Sequence, residues 1–174
     1  MKSLKLSLIA LLLSFASYAQ IGAITGPPTI CLGSTGTYTD TTTGGVWTIT
    51  PLTVATISSG GIVTGITLGS AMITYAVGGS YVTYGITVSP IPLGITGATS
   101  VCAGATTTLS DATTGGLWSS SNPAIAMVGS ASGVVSGISA GVTNISYTLG
   151  TGCSRYTSVT VNPLPASYTV TGGG

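Results

Sequence analysis

Asp40-Thr41-Thr42-Thr43-Gly44-Gly45-Val46-Trp47 returns as Asp111-Ala112-Thr113-Thr114-Gly115-Gly116-Leu117-Trp118, and the same step of 71 positions carries Cys31 to Cys102. A period of that length is one small domain rather than one turn of a solenoid. The chain therefore holds two copies of one unit, and what one unit can do bounds what the whole can do. Outward from Gly44-Gly45, the run Val46-Trp47-Thr48-Ile49 is apolar and β-branched. Val54 to Ile57 precedes the turn signal Ser58-Ser59-Gly60-Gly61, and Ile62-Val63-Thr64 follows it. Ile73, Tyr75 and Val77 alternate on one face, as do Tyr84, Ile86 and Val88. The second copy answers with Ile145, Tyr147 and Leu149, then Val159 and Val161. Period-2 patterning broken by turns roughly every eight to twelve residues predicts an all-β chain of tandem antiparallel β-sandwiches. A unit of roughly 70 residues buries only a modest core and needs a large anchor. Trp47 and Trp118, one per copy at matching positions, are the expected core anchors; the competing reading is an exposed platform for sugar stacking.

The boundaries follow from prolines. Val88-Ser89-Pro90-Ile91-Pro92 and Val161-Asn162-Pro163-Leu164-Pro165 end the two copies alike, and paired prolines stop a strand and stiffen a linker. This predicts domains at 20–90 and 91–163, and a linker with the first strand of a third, truncated repeat at 164–174. Residues 1–19, MKSLKLSLIALLLSFASYA, read as a signal peptide: Lys2 and Lys5, an apolar run from Leu6 to Phe15, then Ser17-Tyr18-Ala19. The apolar run is shorter than the roughly 20 residues a membrane span needs, so no span is expected after cleavage. The predicted location is extracellular, secreted or at the cell surface.

Without that leader the charged side chains are Asp40, Asp111 and Arg155, with no Lys, Glu or His. Nucleic acid is excluded as a partner, because phosphate binding needs clustered cations. At 44% hydrophobic residues the chain is also unlike an ordinary disordered one.

The pattern Gly-Gly-x-Trp, a Pro-containing loop (Pro51; Asn122-Pro123), Val54-Ala55-Thr56-Ile57 or Ile125-Ala126-Met127-Val128, then Gly-(Ile/Val)-Val-(Thr/Ser)-Gly, resembles the group 2 bacterial immunoglobulin-like domains found in tandem in surface proteins and adhesins. The resemblance spans about residues 21–163. It implies Ig-like sandwiches used as spacers or binding modules, and no catalytic residues.

Export permits a disulfide among Cys31, Cys102 and Cys153. Cys102 and Cys153 fall in one repeat and are the expected pair, closing about 50 residues for ~4 kcal/mol in the chain-entropy account. Aligning the copies puts Tyr81 where Cys153 stands and leaves Cys31 odd. Cys31 is then a buried thiol left by divergence, or is bonded to another chain or to a part of the protein missing from this sequence.

No catalytic, cofactor-binding or metal site is expected, and no cofactor. A Ser or Thr nucleophile finds no His or Lys base, and no glycine-rich loop carries a Lys. Asp40 and Asp111 stand just before the Thr-Thr-Gly-Gly turns and are expected to cap them. Asn144-Ile145-Ser146 fits the N-glycosylation sequon but lies in an expected strand. Asp40-Thr41-Thr42 is similar to an O-glycosylation site of some Gram-negative bacteria, with Thr41 the acceptor; chance occurrence in a Thr-rich chain is the alternative.

Open sheet edges are usually guarded by Lys or other charge, and this chain has no Lys beyond its leader. Ile21–Thr25 and Ala166–Thr171 look like strands that could add to another subunit. Three functions of different kind follow. The first is a non-catalytic structural or adhesion module, its partners being neighbouring Ig-like repeats, copies of itself, or surface glycans and proteins. The second is a self-assembling filament or matrix subunit joined by strand exchange. The third is a sugar-binding module, for which Tyr38, Tyr81 and Tyr84 are the exposed candidates.

Overall fold

In the computed structural model, which describes residues 21–165, fourteen strands fall into two sandwiches of seven. The expected signal peptide at 1–19 and the strand at Ala166–Thr171 lie outside these residues. The first sandwich contains β1 (Thr29–Cys31), β2 (Thr35–Thr37), β3 (Val46–Thr50), β4 (Ala55–Ile57), β5 (Ile62–Gly65), β6 (Gly69–Val77) and β7 (Ser80–Ser89). The second contains β8 (Ser100–Cys102), β9 (Thr106–Thr108), β10 (Gly116–Ser120), β11 (Ala126–Val128), β12 (Val134–Gly137), β13 (Gly141–Leu149) and β14 (Ser154–Asn162).

Each sandwich packs a four-stranded sheet on a three-stranded one. The orders are β1-β7-β6-β3 over β2-β5-β4, and β8-β14-β13-β10 over β9-β12-β11. Pairing is antiparallel except where the short first strand runs parallel to the long last one, β1 with β7 and β8 with β14. No described strand of one sandwich pairs with a strand of the other. The long hairpins β6–β7 and β13–β14 supply the alternating faces. Ala71, Ile73 and Tyr75 point inward from β6, and Thr143, Ile145 and Tyr147 from β13.

The cores are separate. Around Ile24, Ile30, Tyr38, Ile49, Val63 and Ile73 forms one; around Val101, Leu109, Trp118, Val135, Ile145 and Val159 forms the other. Trp118 is buried, whereas Trp47 is half-buried and lies against Tyr75 at the margin of its core. The largest fully buried side chain is Tyr38, and its repeat equivalent is Leu109. Tyr38 is therefore no sugar platform. It is 1% exposed, its hydroxyl donates to the Pro27 carbonyl at 2.6 Å, and its ring meets Tyr84 edge-on at 5.8 Å. Burial pushes the Tyr38 phenol up to about 12, and the adjacent Tyr84 phenol adds to the shift.

The sheet edges are protected by brevity rather than charge. Six of the eight edge strands, β1, β2, β4, β8, β9 and β11, are three residues each, which offers little template for an incoming chain, and the other two, β3 and β10, are five. Ile21–Thr25, expected as a free donor, is committed to its own domain. Thr25 bridges Thr39 in antiparallel fashion and Ile24 is buried in the first core.

Candidate functional site

The candidate site is the junction between the sandwiches, built from the same loop device at the head of each. At that head the Asp40 carboxylate accepts the Thr42 N–H at 2.7 Å and the Asp111 carboxylate the Thr113 N–H at 2.8 Å. These are Asx turns, the expected capping role. In both copies the second carboxylate oxygen is buried without a hydrogen-bond partner. The Thr42 hydroxyl then accepts the Gly22 N–H, and the Thr113 hydroxyl the Leu93 N–H, each at 2.8 Å. The incoming chain is thereby pinned to the head of its domain.

A tyrosine on the long hairpin locks the turn. The Tyr75 hydroxyl accepts the Gly45 N–H at 2.9 Å and donates to the Thr42 carbonyl at 2.7 Å. Tyr147 repeats this with Gly116 and Thr113 at 2.9 and 2.7 Å. The paired glycines of Gly-Gly-x-Trp now have separate causes. Gly44 and Gly115 adopt φ of 82° and 83°, which L residues rarely take. Gly45 and Gly116 lie so close to the tyrosine rings that a Cβ would overlap them. Sequence reasoning placed Tyr75 and Tyr147 only as inward-facing strand residues. Their recurrence, one per copy at matching strand positions, is the sequence signal for the lock.

The disulfide joins Cys31 to Cys153, with Cα atoms 5.5 Å apart, and Cys102 is a free, exposed thiol. The expected Cys102–Cys153 bond is thus corrected, and the register gives the reason. Cys102 stands opposite Asn162 at the end of β14, whereas Cys153 directly precedes that strand's start at Ser154. At about 3.3 Å per residue, nine residues of strand hold them roughly 30 Å apart. Cys31 is not a stray thiol. It stands opposite Ser89 at the end of β7, where the first sandwich hands over to the linker. Cys153 closes the β13–β14 hairpin, its carbonyl accepting the Leu149 N–H at 2.9 Å, at the head of the second sandwich. The bond therefore ties the foot of one domain to the head of the next. At the bond Cys153 is buried and Cys31 half-buried, and Ser89, opposite Cys31, is buried.

The hairpin register also corrects the alignment of the copies. Val77 pairs Ser80 across Gly78-Gly79, as Leu149 meets Cys153 across a longer loop. Ser80, not Tyr81, occupies the Cys153 position, and Tyr81 matches Ser154. Thr41 is exposed on the first head loop, and Asn144 lies exposed within β13 with its side-chain carbonyl accepting the Ser158 hydroxyl at 2.8 Å. Among the described residues, no three His, Cys, Asp or Glu come together as a metal-binding group. No described helix is long and apolar enough to cross a membrane.

No family model and no curated protein matches the chain. Among solved structures it is similar to the C-terminal 282-residue fragment of intimin in complex with the intimin-binding domain of its translocated receptor. Identity is 19% over 83% of this chain and 65% of that one, with a TM-score of 0.49. Domains 4 and 5 of the S-layer protein SbsC match at 20% identity over 84% of this chain and 100% of theirs, TM-score 0.43. Invasin, a bacterial integrin-binding protein, matches at 18% over 81% and 38%, TM-score 0.45. The chain spans less than two thirds of the intimin fragment. At these identities the likeness is one of fold alone.

Proposed function

We propose that the chain is a non-catalytic extracellular module of a bacterial surface protein, in which tandem Ig-like domains of the group 2 type act as a spacer with a fixed junction. The observation that carries this reading is the Cys31–Cys153 bond. A disulfide of this kind belongs to an oxidising compartment, in keeping with the signal-like leader. It also spans two domains that share no core, so what it secures is their relative placement. A protein whose task is to hold its ends apart needs that placement and no reactive group.

Small-angle scattering and negative-stain microscopy of the oxidised chain from Gln20 onward test the reading. The expected result is a monomeric two-domain particle whose interdomain distance distribution broadens on reduction. Regular fibres formed by the chain alone would instead support the filament subunit and overturn the spacer. A distribution identical before and after reduction would show that the bond does not set the junction.

A further inference from the structure

Cys102 holds in the second sandwich the place that Cys31 holds in the first. Cys31 ends β1 opposite Ser89, and Cys102 ends β8 opposite Asn162. The backbone beyond each repeats bond for bond. Leu32 N–H donates to Ser89, Gly33 to Gly65 and Ser34 to Cys31; Ala103 donates to Asn162, Gly104 to Gly137 and Ala105 to Cys102, all at 2.8–3.0 Å. Gly33 and Gly104 share a positive φ, 77° and 81°. Each foot then leads into a matching linker, Pro90-Ile91-Pro92 or Pro163-Leu164-Pro165. The two equivalent feet differ at the thiol: the first is bonded to the head of the next domain, and the second is free and exposed.

We propose that Cys102 is half of a second interdomain staple, which accepts a further Ig-like domain in series past Pro165, provided that domain carries a cysteine immediately before its last strand, as Cys153 does. The inference deepens the spacer reading and rests on it. A second copy of this chain is the wrong partner. Its first head presents Ser80 at the required position, and its Cys153 is fully buried in the bond to Cys31. Bond formation is thiol–disulfide exchange with a small-molecule or protein disulfide. Two thiols give up two protons and two electrons, one Sγ–Sγ bond forms, and the oxidant's disulfide is reduced to two thiols.

The test keeps the whole described chain and replaces residues 166–174 with a second copy of residues 93–165, which supplies the required cysteine. After folding in a glutathione redox buffer, the expected product has one alkylatable thiol, that of the appended foot. Peptide mapping should show Cys102 linked to the appended head. Three alkylatable thiols with Cys31–Cys153 intact would overturn the staple while sparing the spacer reading. Absence of Cys31–Cys153 from the unaltered chain would overturn both. A second variant covers misfolding of the appended copy. Ser80→Cys in the natural chain places the missing thiol on the first head, and head-to-tail oligomers linked from position 80 to Cys102 are expected, abolished by Cys102→Ser. Only symmetric links, or none, would refute the proposal.

Discussion

Removing the staple with Cys31→Ser and Cys153→Ser should convert one unfolding transition into two. The bond spans 122 residues in sequence, which in the chain-entropy account raises the fully unfolded state by about 5 kcal/mol. Partly unfolded states are affected almost as much. Cys31 stands opposite Ser89, so with the first sandwich folded the unfolded loop runs only from Ser89 to Cys153, about 64 residues, and is raised by about 4.3 kcal/mol. With the second sandwich folded, Leu93 is pinned to Thr113 of that sandwich and the loop from Cys31 to Leu93 is about 62 residues, again about 4.3 kcal/mol. Either domain unfolding alone thus meets nearly the whole penalty, and unfolding the second adds only about 0.6 kcal/mol. The resulting coupling, about 3.7 kcal/mol, merges two independent transitions into one.

Each domain contains one tryptophan, so Trp118→Phe leaves a probe of the first sandwich and Trp47→Phe a probe of the second. Urea titrations of the oxidised chain should give coincident midpoints for the two probes. In the double serine variant the midpoints should separate, with up to about 5 kcal/mol lost from the summed free energy. Midpoints unchanged by the double variant would refute the reasoning, as would the same loss on Cys102→Ser.

Alkali should act through Tyr38. Its folded-state pKa of about 12 exceeds the ordinary 10 of an unfolded tyrosine, so the contribution is intact below pH 10 and lost as pH rises toward 12. Between pH 9 and 11.5 that loss is about 2 kcal/mol from the first sandwich, absent from Tyr38→Phe, and equal losses in both proteins by urea titration at those two pH values would contradict it. Tyr147→Phe strands the Gly116 N–H and the Thr113 carbonyl and should remove about 2 kcal/mol from the second sandwich alone, read by Trp118 fluorescence. Gly116→Ala drives a methyl into the Tyr147 ring and should destabilise more than an exposed alanine change, with thermal melting as the check. Asp111→Ala loses the Thr113 cap at a cost of about 1–2 kcal/mol; Asp111→Asn, which keeps the acceptor, should be milder, and equal losses would rule out the cap.

The sandwich was legible because alternation and turn residues act locally: Ile73, Tyr75, Ile145 and Tyr147 all face inward as their spacing requires. The copies were legible from one glance at Gly-Gly-x-Trp. Tyr38 was not, because it follows Thr35-Gly36-Thr37 in a polar setting; only its match with Leu109 marks the position as apolar in both copies. The disulfide was least legible. Which thiols meet depends on which end of β14 each occupies and on which foot abuts which head, and neither is a local property. The two hairpins differ in length for a local reason. The first hairpin turns on Gly78-Gly79 and the second on a longer loop, which moved the counterpart of Cys153 from Ser80 to Tyr81.

The lack of charge explains why the junction takes a covalent form. Tandem domains can set their angle with ion pairs, with a large apolar contact or with bound metal, and this chain has Asp40, Asp111 and Arg155 as its only charged side chains beyond the leader. The two cores are separate, and among the described residues no strand of one sandwich pairs with a strand of the other. Prolines restrict the linker but leave rotation about its free dihedrals. A single bond from the foot to the head removes that freedom while contributing almost no surface, and it acts independently of salt. Its placement also makes the unit extensible. The foot with Cys102 reproduces the foot with Cys31 in register, backbone bonds and linker, so the same chemistry can be repeated without redesign of either sandwich.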